Sequence, residues 1–247
     1  MSNAPPQPET TQGLASASSS ASRIYGAAIG TTALVSALSY LTPPEYSATL
    51  VSLGFFGCTY ALVLRRSSAE ISESGLAMGG LFGDAPLQWK RLLQESGRAL
   101  TVALALSVLI FPAFFFAWQL WWTPERDFHW TWGPAPAEAL LGQLLVVAVP
   151  EEMFYRGYLH GALDKLHPPR WRIFGAQIGP SLLIASAIFA LGHVITEPHP
   201  NRLAVFFPAL LFGWMRARTG GIGAAVIFHA FCNLFATSIE RGYGLIP

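Results

Sequence analysis

Apolar runs long enough to cross a bilayer recur along this chain, separated by short polar breaks. A span needs about 20 apolar residues, with shorter ones tolerated. On that basis the pattern predicts about seven spanning helices, near 24–41, 47–64, 99–122, 138–162, 173–195, 203–218 and 221–239. The alternative count is eight, or a merged pair. The fold class expected is all-α, a polytopic membrane helical bundle. A tight turn holding Arg216, Arg218, Gly220 and Gly221 joins the last two runs. The longest polar stretch, 65–98, ends in PLQWKRLLQESGRAL. There Leu87, Leu92 and Leu93 lie near one face, away from Lys90, Arg91 and Arg98. That pattern fits a short helix lying in the membrane interface, or an ordinary solvated loop helix. Trp130 and Trp132 in the loop 123–136, close to Trp121 and Trp122, fit an aromatic belt at the headgroups.

Composition supports the membrane reading. Hydrophobic residues make up 52% of the chain and charged residues 12%, against a charged share of about 25% in soluble domains. The net charge of +1 and the scattered arginines offer no basic stripe, so nucleic acid is not an expected partner. The first 22 residues lack a basic n-region and an apolar h-region and do not form a signal peptide. They read as a disordered tail, 1–22, ahead of a single domain, 23–247. The first membrane helix would then act as the uncleaved insertion signal. Cys58 and Cys232 lie in apolar runs without CxxC spacing and read as buried structural thiols. Lys and Arg concentrate in the stretches 65–98, 163–172 and 216–218, whereas 42–46, 123–137 and 196–202 hold only Arg126 and Arg202. The positive-inside rule then places the N-terminus in the cytoplasm and, with seven spans, the C-terminus outside.

The candidate chemistry lies where charge interrupts the apolar runs. Glu151, Glu152 and Arg156 stand inside LLVVAVPEEMFYRGYLHGAL. Charge in hydrocarbon is costly by at least about 2.5 kcal/mol per residue, so these groups must pair or line a wet cavity. At about 100° per residue, Glu152 and Arg156 share one face in the favoured i,i+4 order. Glu151 lies a further step round, on the face of Tyr155. One carboxylate is tied to a cation, and the other is left unpaired in a low-dielectric site, as a general base requires. Pro150 weakens the local helix bonding. Two further clusters sit on later spans: Phe189-x-x-x-His193, and His229-x-x-x-Asn233 with both side chains on one face. Together they form a water-activating unit. Glu151 and His193 hold and deprotonate water, His229 and Asn233 stabilise a tetrahedral oxyanion, and Glu152 with Arg156 braces the first glutamate. A buried Glu–Arg lock and cross-helix hydrogen bonding are the structural alternatives. There is no HExxH zinc motif and no GxSxG elbow. The two histidines and two glutamates could ligate zinc in principle, but asparagine is a poor zinc ligand and the histidines lie on different helices. No cofactor is therefore expected, with zinc as the alternative.

These residues carry a resemblance. EEMFYRGYL resembles the EExxxRG signature of the CAAX-protease and bacteriocin-processing (CPBP or Abi) family, SAIFALGH its FxxxH motif and GIGAAVIFHAFCN its HxxxN motif, all within 138–239. The resemblance implies an intramembrane endopeptidase of glutamate type, a family once assigned as metalloproteases. It implies Glu151 as catalytic base, supported by Glu152, Arg156, His193, His229 and Asn233. The expected function is hydrolysis of a peptide bond near the C-terminus of a membrane-anchored or lipidated protein. The expected partners are that substrate tail and the lipid bilayer. The expected location is a bacterial inner membrane. The placement of His193 near the outer face favours the sorting-tail-processing, myxosortase-like branch. The alternative is a non-catalytic membrane immunity or peptide-sequestering protein of the same family; a small transporter is weaker still, because no internal repeat is present.

Overall fold

Helices α1 (Thr11–Leu41) and α2 (Pro44–Leu64) form the first antiparallel pair, turned by Thr42 and Pro43. This computed structural model describes residues 11–82, 86–131, 133 and 135–246. A capped turn of helix follows, α3 (Ser68–Glu73), in which Ser67 and Glu70 form a reciprocal capping box. Then come α4 (Trp89–Trp122) and α5 (136–166), a hairpin of β1 (Trp171–Ile173) and β2 (Ala176–Ile178), α6 (Pro180–Thr196), α7 (Phe206–Thr219) and α8 (Gly223–Gly242). The fold is all-α. Ser18–Leu41, Pro44–Leu64, Trp89–Trp122 and Gly223–Gly242 are long and apolar enough to cross a membrane, and Pro180–Thr196 is a shorter apolar helix. The chain is an integral membrane protein.

The seven predicted runs fall in order on α1, α2, α4, α5, α6, α7 and α8, with differences at their ends, and among the described residues four of these helices are long and apolar enough to cross a membrane. Of the expected tail, residues 1–10 lie outside the described residues, and the backbone of 11–22 belongs to α1. The helix predicted for 87–98 is not separate. It runs into the third span as one 34-residue helix. No proline interrupts residues 89–111, and Arg91 pairs with Glu95 at 2.8 Å across one turn. At about 1.5 Å per residue this helix is about 50 Å long, more than a bilayer core of about 30 Å. The fifth span starts seven residues later than predicted, at Pro180. The residues before it form a two-stranded hairpin, with Ile173 opposite Ala176 across Phe174 (φ 46) and Gly175 (φ 80). Two positive-φ residues in a two-residue loop give the turn that matches strand twist, and Pro180 suits the first turn of a helix. Trp121, Trp122 and Trp130 are exposed, as in an aromatic belt; Trp132 lies outside the described residues. Cys58 and Cys232 are partly buried free thiols.

Along the middle of α4, large apolar side chains face outwards and small ones inwards. On α4, Val108, Leu109 and Phe116 are exposed, while Ala99, Ala103 and Ser107 are buried. Lipid tails are as apolar as leucine, so packing between backbones rather than water exclusion selects the small residues at the interface. Helix α5 is the central one: all but one residue of Met153–His160 are buried. Phe154, Tyr155, Leu159 and Leu163 of α5 pack with Phe55 of α2, Phe189 of α6 and Ala209 of α7. Near its C-terminal end, Asp164 accepts hydrogen bonds from Ser181 of α6 and from Arg216 of α7, the latter at 3.5 Å.

The segment between α3 and α4 meets α4 at Gly79, which has φ 66; a Cβ there would lie 2.9 Å from the backbone of Leu92. Gly220, with φ 79, has open space around the same position. Gly220→Ala should lose only the conformational term, about 1–2 kcal/mol. Gly79→Ala should lose that and an overpacking term of about 1–3 kcal/mol. Thermal unfolding in detergent checks this; equal losses at the two positions would refute the close approach to Leu92.

Candidate active site

Four helices supply the polar groups. Helix α5 carries Glu151, Glu152, Tyr155 and Arg156; α6 carries His193; α7 offers the Ala209 carbonyl and Phe212; α8 carries His229 and Asn233. Around the glutamates α5 departs from α-helical winding. Gly142–Ala148 and Met153–His160 are π-helical, with Val149–Glu152 between them. Pro150 has no N–H to give, and its ring crowds the carbonyl four residues back. The ladder before it opens into wider i→i+5 turns, which recur at functional sites.

Glu152 is fully buried and Arg156 is 2% exposed. Glu152 Oε1 accepts a hydrogen bond from Arg156 at 2.8 Å and one from His229 Nδ1 at 2.9 Å. The second guanidinium nitrogen of Arg156 donates to the Ala209 carbonyl at 3.1 Å. The guanidinium carbon lies 4.5 Å from the Phe189 ring centre and 5.0 Å from that of Phe212. Phe212 also stacks on His229, with centroids 4.8 Å apart and planes 16° from parallel. The cation is thus held between two ring faces and the carboxylate by two donors, which ties α5 to α7 and α8 at one point.

Glu151 has a different environment. It lines a cavity of about 550 Å³ together with Tyr155, Gly192, His193, Thr196 and Arg202. Its Oε2 is buried and has no hydrogen-bond partner. His193 lines the same cavity and places Nδ1 3.0 Å from the Phe189 carbonyl. A carbonyl can only accept, so Nδ1 carries the proton and Nε2 is the free ring nitrogen. An unpartnered carboxylate and a free imidazole nitrogen therefore border one space. The cavity wall also includes Thr42, Pro44 and Ser47, from the α1–α2 turn and the start of α2.

His229 and Asn233, one turn apart on α8, have different partners. His229 commits Nδ1 to Glu152, whereas the amide nitrogen of Asn233 donates to Gln143 Oε1 at 2.8 Å. Each retains another polar group: ring Nε2 on one, a second N–H on the other. Gln143 was not singled out from the sequence. It lies on α5, in the first π-helical segment, and lines a second cavity of about 710 Å³. That cavity shares Ala48, Val146 and Val147 with the first. The missed signal was a lone carboxamide in the apolar run LLGQLLVVAV, directly upstream of the glutamates. Among the described residues, no three of His, Cys, Asp and Glu stand close enough to hold a metal ion.

Removing Arg156 would leave a buried carboxylate without its cation. Arg156→Ala should destabilise the protein by about 3–5 kcal/mol. Arg156→Lys should recover only part of this, because a point charge cannot bridge Glu152 and the Ala209 carbonyl between two ring faces. Glu152→Gln combined with Arg156→Met should be more stable than Arg156→Ala alone. Detergent melting curves give the comparison; a stable Arg156→Ala protein would contradict the pairing.

No curated protein and no solved structure matches the chain. Residues 131–235, which carry Glu151, Glu152, Arg156, His193, His229 and Asn233, match the family model described as type II CAAX prenyl endopeptidase Rce1-like. Residues 131–235 of this chain are thus similar to a family of CAAX-type intramembrane proteases.

Proposed function

We propose that the protein is a glutamate-type endopeptidase that cuts the membrane-anchored tail of an exported protein, near its C-terminus and close to the outer membrane surface. Glu151 is the catalytic base. A water held between its unpartnered Oε2 and His193 Nε2 attacks the scissile carbonyl. Glu151 takes the proton of that water, oxygen bonds to carbon, and the carbonyl π electrons move to the oxygen. The free N–H of Asn233 donates to the resulting oxyanion, as does Nε2 of His229 when both nitrogens of that ring carry protons. Collapse of the tetrahedral centre breaks the C–N bond, and Glu151 returns the proton to the leaving amine. Arg156 and His229 fix Glu152, and through the backbone that holds Glu152 they fix its neighbour. No metal takes part in this scheme.

The observation that carries the reading is the different fate of adjacent carboxylates. Oε1 of Glu152 takes two donors while its Oε2, like Oε2 of Glu151, is buried without a partner, and of the two carboxylates only Glu151, itself partly buried, lines the cavity. A protein that only sequesters a peptide has no use for that arrangement. The outward orientation rests on charge: Thr42, Pro44 and Ser47 line the cavity, and they belong to the lysine- and arginine-poor side of the chain. In this orientation the N-terminus is cytoplasmic, the membrane is a bacterial inner membrane, and the substrates are sorting tails as in the myxosortase-like branch.

Glu151→Gln keeps the shape and removes the base. It should lower the cleavage of anchored-tail reporters in proteoliposomes by at least about 100-fold, with an unchanged melting temperature. His193→Ala should do likewise, and strong chelators should leave wild-type activity intact. A folded Glu151→Gln protein with full activity would remove the catalytic reading. A cysteine placed at Ser47, with Cys58 and Cys232 replaced by serine, should react with an impermeant maleimide added outside intact cells; reaction only from the cytoplasmic side would reverse the orientation.

A further inference from the structure

We infer that Gln143 is a positioning residue for Asn233, fixing which end of that carboxamide faces the reaction centre; this rests on the hydrolytic reading above. The two ends of an asparagine side chain are almost the same in shape and opposite in chemistry. One is an N–H donor and the other an acceptor oxygen. At an oxyanion the first stabilises and the second repels. Packing alone distinguishes them poorly, so a hydrogen-bond partner must choose. Gln143 Oε1 can only accept, and it lies 2.8 Å from the Asn233 nitrogen. With Gln143 held as it stands, rotating the Asn233 amide alone by half a turn would set two oxygens against each other. The contact therefore commits one N–H of Asn233 to Gln143 and leaves the second to point elsewhere. Asn233 stands one turn from His229, which is itself bonded to Glu152.

Helix winding explains how Gln143 comes to be there. In an unbroken α-helix Gln143 and Glu152, nine positions apart, differ by about 180° and face opposite sides. A π-turn takes up one extra residue, which resets the register by about 100°. The π-helical stretch Gly142–Ala148 lies between them and turns Gln143 towards α8, the helix that also supplies the donor to Glu152. The same winding places Gln143 on the second cavity, whose wall continues into that of Glu151 through Val146 and Val147. The bulge thus serves two side chains at once, an anchored Asn233 and an unpaired Glu151.

The test is a double-mutant cycle in the full-length protein, reconstituted and assayed with the anchored-tail reporter. Gln143→Met, close in shape but without an acceptor, should lower kcat by about 10-fold, less than the roughly 100- to 1,000-fold typical of losing an oxyanion donor itself. KM should stay within about twofold, since ground-state binding is untouched. Gln143→Glu, which restores an acceptor oxygen, should recover most of kcat. In an Asn233→Ala background Gln143→Met should cause no further loss, because the residue acts only through Asn233. Wild-type kcat in Gln143→Met would overturn the inference, as would wild-type kcat in Asn233→Ala, or a Gln143→Met loss that multiplies undiminished in the Asn233→Ala background. If Gln143→Met does not fold, Gln143→Asn, shorter by one methylene, removes the contact and takes its place in the cycle. Glu151→Gln is run in parallel. If it is inactive while Gln143→Met is normal, only the role of Gln143 falls; if it is active, the hydrolytic reading falls as well.

Discussion

A single buried carboxylate oxygen, Oε1 of Glu152, organises this molecule. It receives Arg156 from one turn further along its own helix and His229 from the last helix of the chain. Arg156 in turn reaches a backbone carbonyl of α7 and lies against Phe189 of α6. A charge of either sign alone in hydrocarbon would be prohibitive, so the groups are stable only as a set. That makes the association of α5, α7 and α8 specific in register as well as favourable. Apolar packing between membrane helices discriminates weakly between registers, because a sliding leucine meets lipid or another leucine at similar energy. A buried ion pair with a third donor has one arrangement that satisfies it.

Hydropathy was enough to find the helices, since a bilayer demands length and apolarity and admits little else. The polar residues were legible for the same reason: Glu151, Glu152, Arg156, His193 and His229 stand out against an apolar background, and the structure gathers them on neighbouring faces. What the sequence left unread was winding. A reading at a constant turn angle has no means of registering the π-helical segments either side of Val149–Glu152, and so no means of bringing Gln143 to Asn233. The hairpin at 171–178 was hidden for a related reason. Short apolar strands and the start of an apolar helix have the same hydropathy, and only the φ values of Phe174 and Gly175 separate them. The run from Trp89 into α4 was divided at a change of composition, whereas hydrogen bonding in a helix is indifferent to the shift from charged to apolar side chains.

The polar groups are also distributed with depth. The cavity holding Glu151 and His193 is bordered by residues around the α1–α2 turn and by Arg202 beyond α6. The opposite ends of α5, α6 and α7 are joined by Asp164, Ser181 and Arg216. The ends of α5, α6 and α7 away from the Glu151 cavity are therefore the ones tied by side-chain hydrogen bonds. Glu151 and His193 border that cavity, whereas Glu152 is fully buried and its partner Arg156 lies against Phe189 and Phe212. Were water to reach Glu152 and Arg156, their attraction would weaken with the rising local dielectric.

Adjacent glutamates on one helix would ordinarily repel and share one environment. Here they do not, because successive side chains on a helix diverge by about 100°. That angle places Glu152 against α7 and α8 and leaves Glu151 facing α1, α2 and α6 across the cavity. Pro150 sharpens the division: by loosening the ladder before the pair it frees α5 to wind differently on either side of it. The rigid carboxylate and the available one are then products of one local feature, a proline followed by two acids in a helix that two π-turns under-wind. Moving either acid by one position would exchange partner for cavity. The dipeptide therefore works as a unit, in which the charge that holds the helices together also sets where its neighbour must point.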